Sequence, residues 1–78
     1  MASNLSRLCG RMGYVAIGRI RRQNFDLSTR QAQEAAYYDA FSILELPENL
    51  TDYERERIAD AVWDAVQRVA AKPNPPKE

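Results

Sequence analysis

The chain contains no histidine and a single cysteine, Cys9, among 78 residues, and these two gaps exclude several chemistries at once. One cysteine cannot close an intramolecular disulfide, and without histidine no zinc site of ordinary ligand spacing exists. The same gap removes a histidine triad and a general base poised near neutrality. Cys9 has no imidazole to activate it. Lysine is scarce too: Lys72 and Lys77 stand at the end of the last apolar-periodic segment and in the tail. Long hydrophobic runs are missing, and nothing approaches the roughly 20 apolar residues of a membrane span. The apolar stretch at residues 13–17 is too short for a secretory signal and is followed by Arg19, Arg21 and Arg22. From these gaps the sequence predicts no enzymatic activity, no cofactor, no metal site and a reducing, cytoplasmic setting.

Acidic residues are also missing, but only from one end. Residues 1–25 hold five arginines (Arg7, Arg11, Arg19, Arg21, Arg22) and no acid, whereas residues 26–78 hold all eleven acids against six bases. A net charge of zero therefore conceals a basic arm of +5 and an acidic body of −5. Such segregation points to an electrostatic partner: another molecule, a second copy, or the chain's own body.

Two later segments read as helices. Ser28-Thr29-Arg30-Gln31 has the form of a capping box opening a helix from residue 29 to about residue 45, with Pro47 ending it. Tyr37, Ala40, Phe41 and Leu44 recur at i, i+3, i+4 and i+7 and give it one apolar face, with Ala36 and Ile43 flanking. Thr51-Asp52-Tyr53-Glu54 is a second capping box, and Pro73 stops the helix it opens. The short connection between them predicts an antiparallel helical hairpin over residues 28–72, followed by a polar tail at residues 73–78. The last helix carries two seams, Ile58/Val62/Ala65/Val69 and Ala59/Trp63/Val66/Ala70. Together they form an arc wider than one antiparallel partner needs. Trp63 and Val66 are therefore expected at an interface with the N-terminal segment, a second chain, or both.

The N-terminal third carries a helical stripe of Leu5, Leu8, Cys9, Met12, Ala16 and Ile20. Gly10, Gly13 and Gly18 oppose it, at about 0.8–1 kcal/mol each relative to alanine. The alternative is a short helix ended by Gly10 with an extended stretch from residue 14 to residue 20, and helix is preferred because no other segment would pair with a strand. The fold expected is thus all-α: one small domain over residues 1–72, with a basic helical segment (residues 1–25) packed on the hairpin, as a homodimer.

Two glycine motifs fail on chemistry. Residues 13–18, GYVAIG, have the glycine spacing of a phosphate loop, but Arg19 and Ile20 stand where lysine and a hydroxyl are required. Gly10-Arg11-Met12-Gly13 matches the GXXG loop of KH domains, yet only nine residues precede it, too few for the strand and helix that fold needs. Glu56, Asp60 and Asp64 recur at i, i+4 and i+8, a solvated acidic stripe or a docking strip for a basic surface. Tyr38 shares a polar helix side with Glu34, Ser42 and Glu45, so it is an aromatic anchor of the kind found at interfaces. The function expected is a non-enzymatic regulator or inhibitor that binds another protein through Arg19, Arg21, Arg22, Tyr38, Glu56, Asp60 and Asp64. Bacteriophage-encoded inhibitors share this profile of size and charge. A DNA- or RNA-binding regulator using the arginine arm is the second expectation, disfavoured by the acidic body behind that arm. A mitochondrial accessory subunit in the matrix is the third, because the arginine-rich, acid-free N-terminus can be drawn as a presequence-like amphipathic helix.

Overall fold

The computed structural model describes residues 4–24 and 26–71; the polar tail expected at residues 73–78 lies outside them. They form three helices and no strand: α1 (Asn4–Gln23), α2 (Arg30–Ser42) and α3 (Asp52–Ala71). Helix α1 runs for 20 residues straight through all three glycines, so neither glycine motif is a loop and no extended stretch follows Gly10. The stripe explains why. Met12, Ala16 and Ile20 are buried, with Leu8, Cys9 and Ile17 packed against the same core. Burying Met12 and Ile20 is worth roughly 1.5–3 kcal/mol each, and the half-buried neighbours add to that. Together they outweigh three glycine penalties of about 0.8–1 kcal/mol apiece. The helix stops at Asn24, whose φ of 57° is left-handed and whose N–H bonds the carbonyls of Ile20 and Arg21 at 3.2 Å. Asparagine is the residue after glycine that best tolerates this cap, and Arg21 and Arg22 in the last turn complement the helix dipole.

The glycines are expendable for packing. A methyl group at Gly10 or Gly18 would meet nothing within 4 Å, and at Gly13 it would reach only ordinary contact, 3.7 Å from the Ala61 carbonyl oxygen. The double variant Gly10→Ala/Gly18→Ala is therefore expected to be more stable by about 1.6–2 kcal/mol. That corresponds to a melting temperature higher by about 4–8 °C per kcal/mol. A thermal melt checks it, and a lower melting temperature would show that α1 needs flexibility at those positions.

At α2 the cap sits one residue later than expected. Thr29, not Ser28, has extended dihedrals and accepts the Ala32 N–H at 3.1 Å, while the Ser28 N–H is engaged by the Asp26 carboxylate at 3.1 Å. A Ser-Thr pair offers two capping frames, and the Asp26 turn selects the second. The far end is also earlier than residue 45. The Ser42 hydroxyl donates to the Asp39 carbonyl at 2.7 Å, and the N–H groups of Ile43 and Leu44 bond three residues back, so the last turn tightens and stops. By contrast the α3 box is reciprocal: Glu54 N–H to Thr51 Oγ1 at 3.1 Å, and Thr51 N–H to Glu54 Oε1 at 2.8 Å.

Both seams of α3 find cover within one chain. Ile58, Val62, Ala65 and Val66 are buried with Met12, Ala16, Ile20, Ala36 and Ala40 in a single cluster. The most extensive helix contact is α1 on α3, where Gly13 approaches the Ala61 carbonyl. Helix α2 takes the other edge of the arc: Tyr37 meets the Trp63 ring edge-to-face with centroids 5.8 Å apart. Its own buried residues are the small Ala36 and Ala40, which let it sit close. The N-terminal segment thus covers α3 as one of the expected alternatives, and the correction falls on Val66, which is core and not surface for another copy. Val66 is 0% exposed in its own core, Trp63 is half-buried against α2, and two intrachain partners account for the width of the arc. Among the described residues no helix is long and apolar enough to cross a membrane.

Candidate functional site

Arg30 opens α2 in its first turn, and Glu34, Tyr37 and Tyr38 follow at i+4, i+7 and i+8, so all four project from one side of that helix. Ala59, Asp60 and Trp63 do the same on α3. Where the two helices lie together, these residues line an open cleft of about 380 Å³. Tyr37 forms its floor. Its ring stands edge-on to Tyr38 at 5.1 Å between centroids and to Trp63 at 5.8 Å. Tyr38 stays outside, 69% exposed, and the small Ala59 beside Asp60 leaves the space in front of the rings unfilled. The Arg30 guanidinium carbon lies 5.1 Å from the Trp63 ring centre, and Arg30 Nε is 3.3 Å from Glu34 Oε2.

Electrostatics in the cleft lean negative, with the carboxylates of Glu34 and Asp60 against the single charge of Arg30. Burial pushes the Tyr37 hydroxyl above its ordinary pKa, and Tyr38 and Asp60 push the same way. Tyr37 is therefore a neutral phenol throughout the physiological range. The cleft has aromatic surface, one cation and two anions, which suits recognition. It has no nucleophile with an activating base.

The other residues expected to act at a partner interface are dispersed. Arg19 is engaged within the chain: its guanidinium reaches across to α2 and grips Asp39 bidentately, Nε to Oδ2 at 2.8 Å and Nη2 to Oδ1 at 3.1 Å. Part of the basic arm thus satisfies the chain's own acidic body. Arg21 and Arg22 are exposed and border another depression, of about 450 Å³, with Tyr14, Val15 and Ile43. Glu56, Asp60 and Asp64 are exposed along α3 as expected, and Asp64 pairs at the surface with Arg68, Nε to Oδ2 at 2.7 Å. Of the expected set, Tyr38, Asp60 and Trp63 come together in the cleft, Arg19, Arg21 and Arg22 line the other depression, and Val66 lies beneath the surface. Arg30, Glu34 and Tyr37 complete the cleft and were not singled out from the sequence. The i, i+4, i+7 spacing of these three was the signal that could have found them. Asp39 had none, since its partner is 20 residues away.

The Arg19–Asp39 pair makes a pH prediction. Arg19's hydrogen bonds hold the Asp39 carboxyl below its ordinary value, against a smaller upward push from burial and with added help from the opposite charge. A depressed folded-state pKa favours the ionised carboxylate in the fold. Its stabilisation is complete above the unfolded value of about 3.9 and is lost as pH falls through the lower folded value. Asp39→Asn should therefore melt below the wild type at neutral pH, with the gap closing on acidification below about pH 4. A gap independent of pH would show that the ion pair contributes nothing.

Among the described residues, no group of three or more histidine, cysteine, aspartate or glutamate side chains is placed to hold a metal ion. No family model matches this chain, and comparison with curated proteins and with solved structures found no match.

Proposed function

We propose that the chain is a non-enzymatic regulator or inhibitor that docks on another protein, with the α2/α3 cleft as its contact surface. The observation that carries this reading is Tyr38. A tyrosine 69% exposed beside two further aromatic rings and three charged side chains has no role in the chain's own core. Tyrosine and tryptophan flanked by arginine are the residue types that concentrate binding energy at interfaces. The fold supplies a rigid platform for them, because all of the cleft residues project from helices.

A nucleic-acid partner is the second reading, favoured by one feature of α1. Arg7, Arg11, Arg21 and Arg22 are exposed, fall within one arc of the helix, and pair with no carboxylate among the described residues. Exposed arginines in a row can track phosphates, though the acidic stripe on α3 opposes a polyanion.

Affinity capture from the source cell, with wild-type and Tyr38→Ala chains side by side, tests the first reading. A protein retained by the wild type and lost with Tyr38→Ala supports it. Tight, salt-dependent retention on duplex DNA or RNA, abolished by Arg21→Ala/Arg22→Ala, overturns it in favour of the second. Arg19 is left intact in that variant because its removal would disturb the Asp39 pair. Homodimerisation belongs to the same proposal, the partner then being a second copy. Sedimentation would give twice 8.9 kDa, and Tyr38→Ala would return the chain to a monomer.

A further inference from the structure

The α2/α3 cleft already contains a cation of the chain's own, and its surroundings are not matched to that cation alone. Arg30 lies over Trp63 at 5.1 Å, inside the roughly 6 Å reach of a cation–π contact. It is steered there by Glu34. The face of Trp63 therefore accepts a planar guanidinium in this setting. Tyr37 meets Tyr38 and Trp63 at near right angles, 75° and 76°, so these rings form a corner and do not stack shut. Asp60 lines the same cleft from α3, and no base pairs with it among the described residues. Two carboxylates, one internal cation and an open aromatic corner amount to a site with room and charge for one more guanidinium, or for an exchange of the one it holds.

We propose that this cleft receives an arginine side chain presented by the partner protein, its guanidinium against Trp63 and its charge facing Asp60, in competition with Arg30. The proposal rests on the protein-docking reading and names the chemistry of that partner. Arginine fits better than lysine, because a planar guanidinium stacks on an aromatic face while its edge still forks to a carboxylate. The basic partner segment also matches the acidic side of a charge-segregated chain. Arg30 acts as a placeholder. It keeps Trp63 covered in the free chain and lowers apparent affinity until it is displaced.

The test uses the full chain and the blocked tripeptide acetyl-Gly-Arg-Gly-amide, with the lysine and all-glycine peptides as controls. Trp63 is the one tryptophan, so its indole N–H resonance and fluorescence report the cleft alone. The expected result is a saturable shift with the arginine peptide, weaker with lysine and absent with glycine. Arg30→Gln should tighten binding about two- to fivefold, the worth of one exposed cation–π contact. Asp60→Asn should weaken it severalfold. Both positions are exposed, and unchanged melting curves would confirm that the variants remain folded. Absence of saturation in Arg30→Gln, or indifference to Asp60→Asn, overturns the proposal. So does a Trp63 signal that depends on protein concentration without peptide, since the occupant is then a second copy. If Tyr38→Ala still abolishes capture of a partner while no arginine peptide binds, the docking reading stands and the guanidinium site falls.

Discussion

Val62→Asp is expected to leave the chain unfolded, whereas Asp60→Ala and Asp64→Ala, two residues to either side of it, keep the native fold. Val62 is fully buried in the middle of α3, with its neighbours supplied by all three helices. A carboxylate there would have no partner, because among the described residues no buried polar or charged side chain lies in the core to receive it. Leaving an ionised group unpaired costs several kcal/mol, and folded domains hold only about 5–15 kcal/mol in total, the smallest ones near the low end. Asp60 and Asp64 are exposed on the same helix. Removing them takes away only repulsion between neighbours and, at Asp64, one surface pair with Arg68, each worth a few tenths of a kcal/mol. Circular dichroism melts of the three variants decide it. Equal melting temperatures would mean that the helical phase assigned to α3 is wrong.

The second large effect concerns binding. Once a partner is in hand, Tyr38→Ala is expected to weaken it by about 2 kcal/mol or more, roughly thirtyfold. The loss should appear in the dissociation rate, because the ring is a short-range contact made after encounter. Charge substitutions should behave differently. Glu56→Gln or Arg21→Ala/Arg22→Ala would change the association rate and its salt dependence more than the lifetime of the complex. Stability should not change with Tyr38→Ala, since only its edge contact with Tyr37 is lost. Surface plasmon resonance at two salt concentrations separates the two classes. A Tyr38→Ala complex as long-lived as the wild type would remove the cleft from the interface.

The division of labour between sequence and tertiary structure is visible in particular residues. Periodicity and capping signals were enough for α2 and α3, whereas for α1 helix is preferred over an extended stretch only because no other segment would pair with a strand. The spacing of Met12, Ala16 and Ile20, the alanines of α2 and the reciprocal Thr51–Glu54 box are local patterns that dictate helix wherever an apolar face can be buried. The exposure of Tyr38, Glu56, Asp60 and Asp64 was legible for the same reason, since a helical phase assigns inside and outside together. What local pattern did not contain was which helix covers which face. The double seam of α3 suggested a second chain. In the fold α1 takes one side of it and α2 the other, so Val66 is core and Trp63 joins Tyr37 and Arg30 in a cleft. Likewise Arg19 looked like one more base in a basic arm until the docking of α1 beside α2 brought Asp39 within 2.8 Å. A hydrophobic pattern encodes how much surface must be buried and in what phase. Contacts between residues 20 or 30 positions apart depend on how three such faces divide one small core, and only the assembled structure decides that.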